Sequence, residues 1–304
     1  MSGTTRLILL GYLACAQCLC TALPALADAP ELVAQGFGFV EGTIFVGNDL
    51  YFVDYNSSRV LRVRDGQVHT VWREDGCGAN GLTELGGELL VACYDNGTVA
   101  MISMDGVFLQ RTREDRAGNR FVAPNDFAVD AKGGVYFSTS GSGDAVLGRV
   151  FYRRPDGVVL DVADGIRDAN GLVVSLDGST LYLAASADQR LMTFPIAPDG
   201  TLGSRRPFVD LAATLEGDGA ERHTPEGVRM DHNGNLFVGL FDGGGFAVLD
   251  PTGKLLKMVH VPGAYHANLA ISPDGKSVYT TAVFLESDGS ARGEILRVAN
   301  PEAE

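Results

Sequence analysis

The sequence contains few of the residues on which several large classes of protein depend. Its 304 residues include only 5 cysteines, 5 histidines and 1 tryptophan, and 24 basic side chains stand against 38 acidic ones. The net charge of −14 disfavours binding of nucleic acid or anionic lipid through surface charge. Cysteine and histidine nowhere have the spacing of a zinc site, and no segment matches an EF-hand loop. The hydrophobic content of 45% excludes a disordered chain.

Long apolar runs are also scarce, and the one that occurs lies at the N-terminus. Arg6 precedes an apolar segment that reaches Leu23, and Ala25-Leu26-Ala27 follows as a small-x-small cleavage site. This order is typical of a secretory signal peptide covering residues 1–27. A membrane anchor is the alternative, but the apolar run stops at Pro24. We therefore expect a periplasmic or secreted protein that is free of the membrane after cleavage.

Two cysteines remain beyond this segment, Cys77 and Cys93. A pair of cysteines in an exported chain is a candidate disulfide. Two separate buried thiols are the alternative, and the sequence leaves both open.

Glycine is abundant, with 39 residues, and the chain beyond residue 27 repeats. Six oxygen-bearing side chains, here called the anchors, each precede a strand-like apolar run: Glu41, Asn80, Asn125, Asn170, Glu226 and Asn268. A period near 45 residues with several short strands per unit is typical of propeller blades. A pair of β-sandwiches does not account for six polar residues at the same position in six successive repeats. We predict an all-β, six-bladed β-propeller in one domain over residues 28–304, with four antiparallel strands per blade. A strand around Leu32 should complete the last blade.

The anchors would converge, because the innermost strands of all blades surround one channel. Carboxylate and amide oxygens suit a hard divalent cation, and calcium is the first candidate. The alternative is a structural ring in which Asn-Gly and Glu-Gly pairs serve local backbone hydrogen bonds.

These motifs resemble those of the regucalcin/gluconolactonase family. Four short motifs follow one another in the order found in that family: Glu41-Gly42, Asn80-Gly81, Pro124-Asn125-Asp126 and Asn170-Gly171-Leu172. The family comprises six-bladed calcium-binding propellers, including sugar lactonases and relatives that hydrolyse organophosphates. The resemblance implies that the metal ligands are Glu41, Asn125, Asn170 and Glu226. Glu226 stands where the family usually has aspartate, so its carboxylate reaches one methylene further.

The resemblance also implies that Asn80 contacts the substrate. Glu226 is the first candidate for a general base that activates water, and Asp126 is the second. Three further residues lie just before anchors and are candidates for the pocket wall: Arg167, His223 and His266.

We therefore expect a calcium-dependent hydrolase of sugar or related lactones. It would act on a small molecule as a monomer or small homo-oligomer, without nucleic acid. One alternative is a propeller that binds a partner and holds a structural ion. The other is a related enzyme with a different substrate, such as an organophosphate.

Overall fold

Short β-strands joined by tight turns make up nearly all of the described structure. The computed structural model describes residues 29–303, so the predicted signal peptide lies outside it. In this range, 24 strands form six antiparallel sheets of four strands each. The six-bladed propeller predicted from the repeat is confirmed.

Blades 1 to 3 follow one another along the chain. Blade 1 consists of β2 (Val40–Val46), β3 (Asp49–Asp54), β4 (Arg59–Arg64) and β5 (Gln67–Arg73). Blade 2 consists of β6 (Ala79–Leu85), β7 (Glu88–Cys93), β8 (Thr98–Ser103) and β9 (Phe108–Thr112). Blade 3 consists of β10 (Pro124–Val129), β11 (Val135–Thr139), β12 (Gly148–Arg153) and β13 (Val159–Ile166).

Blades 4 to 6 complete the circle. Blade 4 consists of β14 (Ala169–Val174), β15 (Thr180–Ala185), β16 (Arg190–Pro195) and β17 (Arg206–Asp210). Blade 5 consists of β18 (Pro225–Met230), β19 (Leu236–Leu240), β20 (Gly245–Leu249) and β21 (Leu255–His260). Blade 6 consists of β22 (Leu269–Ile271), β23 (Ser277–Leu285), β24 (Ala291–Ala299) and β1 (Glu31–Phe37).

The helices are short. The described part of the chain has a 3₁₀ helix at Ser186–Asp188 and one α-helix, α1, at Leu211–Thr214. No helix in residues 29–303 has the length and apolar character needed to cross a membrane.

The ring is closed by the start of the chain. Strand β1 pairs antiparallel with β24, with Glu31 opposite Arg297 and Leu32 opposite Leu296. The first described strand thus forms the outer edge of the last blade, as the sequence predicted. The innermost strands of successive blades contact one another around the channel, and β22 meets β2. Closure ties the two ends of the chain together, so the sheets share one cooperative assembly.

The hydrophobic core consists of layers between neighbouring blades. Tyr51 and Trp72 of blade 1 pack against Leu82 and Leu89 of blade 2. Equivalent apolar clusters fill the other five interfaces. Burial of this apolar surface holds each blade at a fixed angle to the next and so sets the positions of the inner strands.

A disulfide fastens blade 2 near the channel. Cys77 precedes β6 and Cys93 ends β7, and their Cα atoms lie 4.5 Å apart in a disulfide-bonded pair. Both side chains are fully buried. The bond therefore fixes the entry to β6, the strand that carries Asn80.

Removal of the disulfide should destabilise the protein. The bond spans 16 residues, and the chain-entropy relation for a loop of this length gives about 3 kcal/mol. We expect the double variant Cys77→Ala/Cys93→Ala to lose about that free energy of unfolding, measured by urea denaturation. Dithiothreitol should destabilise the parent and leave the variant unchanged. Equal stability of both proteins in oxidising buffer would contradict the prediction.

Candidate active site

One end of the channel opens into a pocket of about 280 Å³. Five of the six anchors line it, one from each of blades 1 to 5: Glu41, Asn80, Asn125, Asn170 and Glu226. The repeat therefore identified residues that the fold brings to one place. The four predicted metal ligands and the predicted substrate contact Asn80 share this pocket, although their roles stay predictions.

The sixth anchor, Asn268, does not line the pocket. Its Oδ1 accepts hydrogen bonds from Thr43 Oγ1 at 3.1 Å and from Arg229 Nη2 at 2.9 Å. It precedes β22, which pairs with β23 without the register shift of the other inner strands. The expectation of six converging side chains is therefore wrong for this one, because Asn268 is held by groups of blades 1 and 5.

The anchors owe their direction to irregularities in the inner strands. In blades 1 to 5 the pairing between the first and second strands shifts register beside the anchor, for example between Glu41 and Ile44 and between Ala169 and Leu172. Such bulges leave residues out of the regular ladder and redirect their side chains. The irregularity lies at or directly after each anchor, at the point where the strand lines the channel end.

The glycines that follow four of these anchors serve close packing between blades. Residues Asn80-Gly81 and Asn170-Gly171 lie within strands β6 and β14 rather than in turns. A Cβ at Gly81 would lie 1.9 Å from the Asn125 carbonyl oxygen. One at Gly171 would lie 2.1 Å from the Glu226 carbonyl oxygen. The missing side chain lets the backbone of one blade reach the anchor of the next.

We expect Gly171→Ala to destabilise the fold and to displace Glu226. The new Cβ would overlap the Glu226 carbonyl, and overpacking of this kind costs about 1–3 kcal/mol. The matched control is Gly203→Ala, whose Cβ would meet Pro195 at an ordinary 3.4 Å. Neither glycine has a positive φ, so the two variants differ in available space. Equal melting temperatures would show that the inner strands tolerate a wider spacing.

Three carboxyl groups line the pocket, and two of them, Glu41 and Glu226, shift each other's titration. Burial raises the pKa of Glu41, and the charge of Asp126 raises it further. The pKa of Glu226 is raised well above its usual value, first by burial and then by the charge of Glu41. Two such groups in one cavity favour a positive partner that compensates their charge.

Two amides complete the set of oxygen donors. Asn125 donates its Nδ2 to Ser140 Oγ at 3.1 Å, and Asn170 donates its Nδ2 to Glu226 Oε2 at 2.8 Å. Both nitrogens therefore face protein acceptors, which leaves the amide oxygens available as ligands. Residues 29–303 contain no cluster of three or more His, Cys, Asp or Glu side chains suited to a metal. The donor set here is two carboxylates and two amides, which fits a hard divalent cation.

Asp126, the second candidate for a base, lies beneath the pocket instead of lining it. Its side chain is 1% exposed and accepts a hydrogen bond from Arg229 Nη1 at 2.9 Å. The same guanidinium reaches the Thr43 carbonyl and Asn268, so Arg229 of blade 5 crosses to blades 1, 3 and 6. The ion pair links inner strands across the channel and engages the Asp126 carboxylate.

The three predicted wall residues are not among those that line the pocket. His266 is fully buried, and its Nδ1 lies 3.1 Å from the Thr281 carbonyl oxygen. His223 Nε2 lies 2.8 Å from Asp218 Oδ1. Arg167 forms ion pairs with Asp144 and Asp188 at the surface. Nearness in sequence to an anchor did not place these side chains in the cavity, because each has found a partner elsewhere.

Asp168 is a pocket residue that the sequence analysis did not single out. It is largely buried, and burial raises the pKa of its carboxyl. Its φ of +57° is unusual for a residue with a side chain, and such strain clusters at functional sites. The signal in the sequence was slight: a carboxylate two residues before the Asn170 anchor.

An aromatic wall, composed of Phe39, Tyr55, Tyr94 and Phe241, lines the other side of the cavity. Ring centroids lie 6.2 Å apart for Phe39 and Phe241, 6.4 Å for Phe39 and Tyr55, and 6.1 Å for Tyr55 and Tyr94. These residues stand next to inner-strand or second-strand ends in blades 1, 2 and 5. No local motif marked them, because only the ring geometry brings them together.

Comparison with known proteins agrees with this architecture. The family model described as "SMP-30/Gluconolactonase/LRE-like region" matches residues 39–284. The chain belongs to this family. The match extends from Phe39 of the aromatic wall to the last blade and includes every anchor. The pocket is therefore compared with the sites of SMP-30/gluconolactonase relatives.

Individual relatives of the SMP-30/gluconolactonase family cover most of the chain. A gluconolactonase from Zymomonas mobilis is 26% identical over 282 residues, 83% of this chain and 78% of its own length. A 6-deoxy-6-sulfogluconolactonase from Pseudomonas putida is 26% identical over 237 residues, 77% of this chain and 78% of its own. The solved structure of a calcium-binding regucalcin from Agrobacterium tumefaciens superposes with a TM-score of 0.70 at 18% identity, over 91% of this chain and 96% of that one. This last likeness shows the shared fold.

Proposed function

We propose that this protein is an exported hydrolase of sugar or related lactones that uses one divalent cation, with calcium the first candidate. The observation that carries the proposal is the convergence of Glu41, Asn125, Asn170 and Glu226 on one pocket. The family relatives named for lactone hydrolysis support the reaction class. The disulfide and the predicted signal peptide support an oxidising compartment outside the cytoplasm.

In this proposal the four oxygen donors would hold the cation: Glu41, Asn125, Asn170 and Glu226. A bound cation would polarise the lactone carbonyl and stabilise the negative charge that develops on its oxygen. Asn80 lies on the same pocket wall and would orient the substrate by hydrogen bonding. Blades 1 to 5 each supply one of these groups, so the rigid ring positions them before the substrate arrives.

The Glu226 carboxylate would take a proton from the attacking water as the water oxygen bonds to the carbonyl carbon. The ring C–O bond then breaks, and the proton passes to the departing alkoxide oxygen. The product is the open-chain hydroxy acid, formed from one lactone and one water. Asp126 is poorly placed for this task, because its carboxylate is engaged by Arg229 below the pocket.

A pH-stat assay of residues 28–304 on a panel of sugar and aliphatic lactones tests the proposal. We expect turnover with added calcium and loss of turnover with a chelator. If no lactone is hydrolysed while calcium still raises the melting temperature, the ion is structural and the propeller binds a partner. If only an organophosphate is hydrolysed, the pocket serves a different reaction.

A further inference from the structure

The pocket combines an aromatic arc with polar groups from blades 1 to 5. The aromatic wall forms a continuous arc, and Tyr265 backs it by stacking on Phe241 with a centroid distance of 4.3 Å. The Tyr55 hydroxyl donates a hydrogen bond to Asp95 Oδ1 at 2.6 Å, so Tyr55 offers the pocket its ring more than its hydroxyl group. Blades 3 and 4 contribute polar groups without aromatic rings: Asn125, Ser140, Asp168 and Asn170. Blades 1, 2 and 5 contribute polar groups beside the arc: Glu41, Asn56, Asn80 and Glu226.

The charges that line the cavity are of one sign. Glu41, Asp168 and Glu226 supply carboxyl groups, and none of the described residues that line the pocket is lysine or arginine. The arginines nearest to these segments in sequence are already paired. Arg167 is paired with two aspartates, Arg222 with Asp242 and Arg229 with Asp126. A divalent cation held by Glu41 and Glu226 would offset those two carboxylates and engage the lactone carbonyl. An anionic substituent elsewhere on the substrate would then meet Asp168, with no lysine or arginine among the described lining residues.

Apolar surface is the other recognition element. An aromatic arc without a free cation suits a substrate that presents carbon and hydrogen, since aromatic rings contribute burial without requiring hydrogen bonds. The pocket of about 280 Å³ has room for one or two small rings or one ring with a short chain. A polyhydroxylated sugar lactone would gain less from this wall than an alkyl or aryl lactone, because any hydroxyl group placed against the rings would lose its hydrogen bonds to water.

We propose that the pocket selects uncharged lactones with an apolar alkyl or aryl face, which lies against the aromatic wall, and discriminates against lactones bearing phosphate, sulfonate or carboxylate. This inference rests on the proposed lactonase function and names its substrate class. It separates the chain from the Pseudomonas putida relative, whose name specifies a sulfonated sugar lactone.

The first test compares kcat/KM for four lactones under the same calcium concentration. These are glucono-δ-lactone, its 6-phosphate, a δ-lactone with a short alkyl chain, and dihydrocoumarin, whose lactone is fused to an aromatic ring. We expect the phosphate to be at least about 10-fold poorer than its neutral parent, and the alkyl or aryl lactone to be about 10-fold better. Apolar groups in a fitted pocket discriminate by about 10- to 200-fold. Equal rates for the phosphate and its parent would overturn the charge argument.

Variants of the wall make the test specific. Phe241→Ala should lower kcat/KM for dihydrocoumarin by about 10-fold more than for glucono-δ-lactone, mainly through KM. Phe241→Leu keeps apolar volume and should give an intermediate loss in a protein that packs normally. The matched control Phe108→Ala removes an exposed ring of β9, a strand that contributes no residue to the pocket lining. It should leave kcat/KM unchanged for both lactones. If Phe241→Ala lowers kcat/KM by the same factor for both lactones, the proposed role of the aromatic wall is wrong.

A gain of function tests the charge argument directly. Asn56 lines the pocket and is exposed, so a longer basic side chain can reach the cavity from its rim. Asn56→Lys should raise kcat/KM for the phosphorylated lactone by about 10-fold relative to glucono-δ-lactone. No change in this ratio would count against exclusion by charge.

Binding measurements separate the substrate preference from the lactonase activity. If the protein hydrolyses no lactone, the same four compounds are compared by isothermal titration calorimetry in the presence of calcium. The inference then requires dihydrocoumarin to bind and the phosphate to bind at least about 10-fold more weakly. Binding in the opposite order, or of the phosphate alone, would overturn it.

Discussion

Glu226→Gln is expected to lower kcat for lactone hydrolysis by about 10²- to 10⁴-fold, the range over which a general base contributes. Glutamine keeps the length of the side chain and an oxygen that can accept the 2.8 Å hydrogen bond from Asn170 Nδ2. It loses the charge and the ability to take a proton from water. The measurement is a pH-stat assay at saturating lactone, with calcium titrated separately by its effect on the melting temperature.

The two measurements separate the two roles assigned to this carboxylate. Loss of turnover with an intact calcium-induced rise in melting temperature would identify Glu226 as the base alone. Loss of both would identify it as a ligand as well. Glu221→Gln is the matched control, since it makes the same chemical change on an exposed side chain five residues away. Turnover of Glu226→Gln at the parent rate would remove Glu226 from the mechanism.

Arg229→Met should cost about 3–5 kcal/mol of unfolding free energy. Arg229 is 17% exposed in its side chain and pairs with Asp126, which is 1% exposed. Methionine preserves much of the volume but leaves a buried carboxylate without its counterion, which is the costly way to break such a pair. It also removes the bonds from blade 5 to Thr43 and Asn268. Chemical denaturation with urea measures the loss.

A second substitution, at Asp126, separates the effect of the unpaired charge from the effect of lost packing. Arg229→Met combined with Asp126→Asn should recover part of the loss, because the unpaired carboxylate is gone. Arg64→Met is the control, since Arg64 pairs with Asp49 at the surface with half of its side chain exposed. Surface pairs contribute about 0–1 kcal/mol, so this variant should remain close to the parent. An equal loss in Arg64→Met and Arg229→Met would contradict the special role of the channel pair.

The architecture was predictable because it is periodic. Apolar runs that follow Glu41, Asn80, Asn125, Asn170 and Glu226 repeat one supersecondary unit, and such a unit cannot bury both of its faces alone. Neighbouring units therefore stack. Residues at the same position in each repeat then lie at the same level along the channel. The same regularity predicted that the first strand would complete the last blade, as the pairing of β1 with β24 confirms.

The contents of the pocket were less predictable. Asn-Gly pairs are common in turns, yet Asn80-Gly81 and Asn170-Gly171 lie within inner strands whose backbones approach each other closely. His266 stands two residues before an anchor and is nevertheless buried against the Thr281 carbonyl. A side chain near an anchor reaches the cavity only if the local twist and the competing partners allow it. For His266 the competing partner lies on the next strand of the same blade, and for His223 it is Asp218 in the preceding loop.

The sequence by itself determined the ring: the number of blades, the closing strand and five of the polar groups at the channel end. The tertiary structure alone decided that Asn268 and Asp126 belong to the Arg229 network and that Asp168 and four aromatic residues complete the pocket. The physical reason is range. Periodic burial acts between adjacent strands and is visible in the order of residues. The Arg229–Asp126 ion pair and the aromatic arc instead join residues that are far apart in sequence, such as Phe39 and Phe241. Such contacts exist only after the ring has closed.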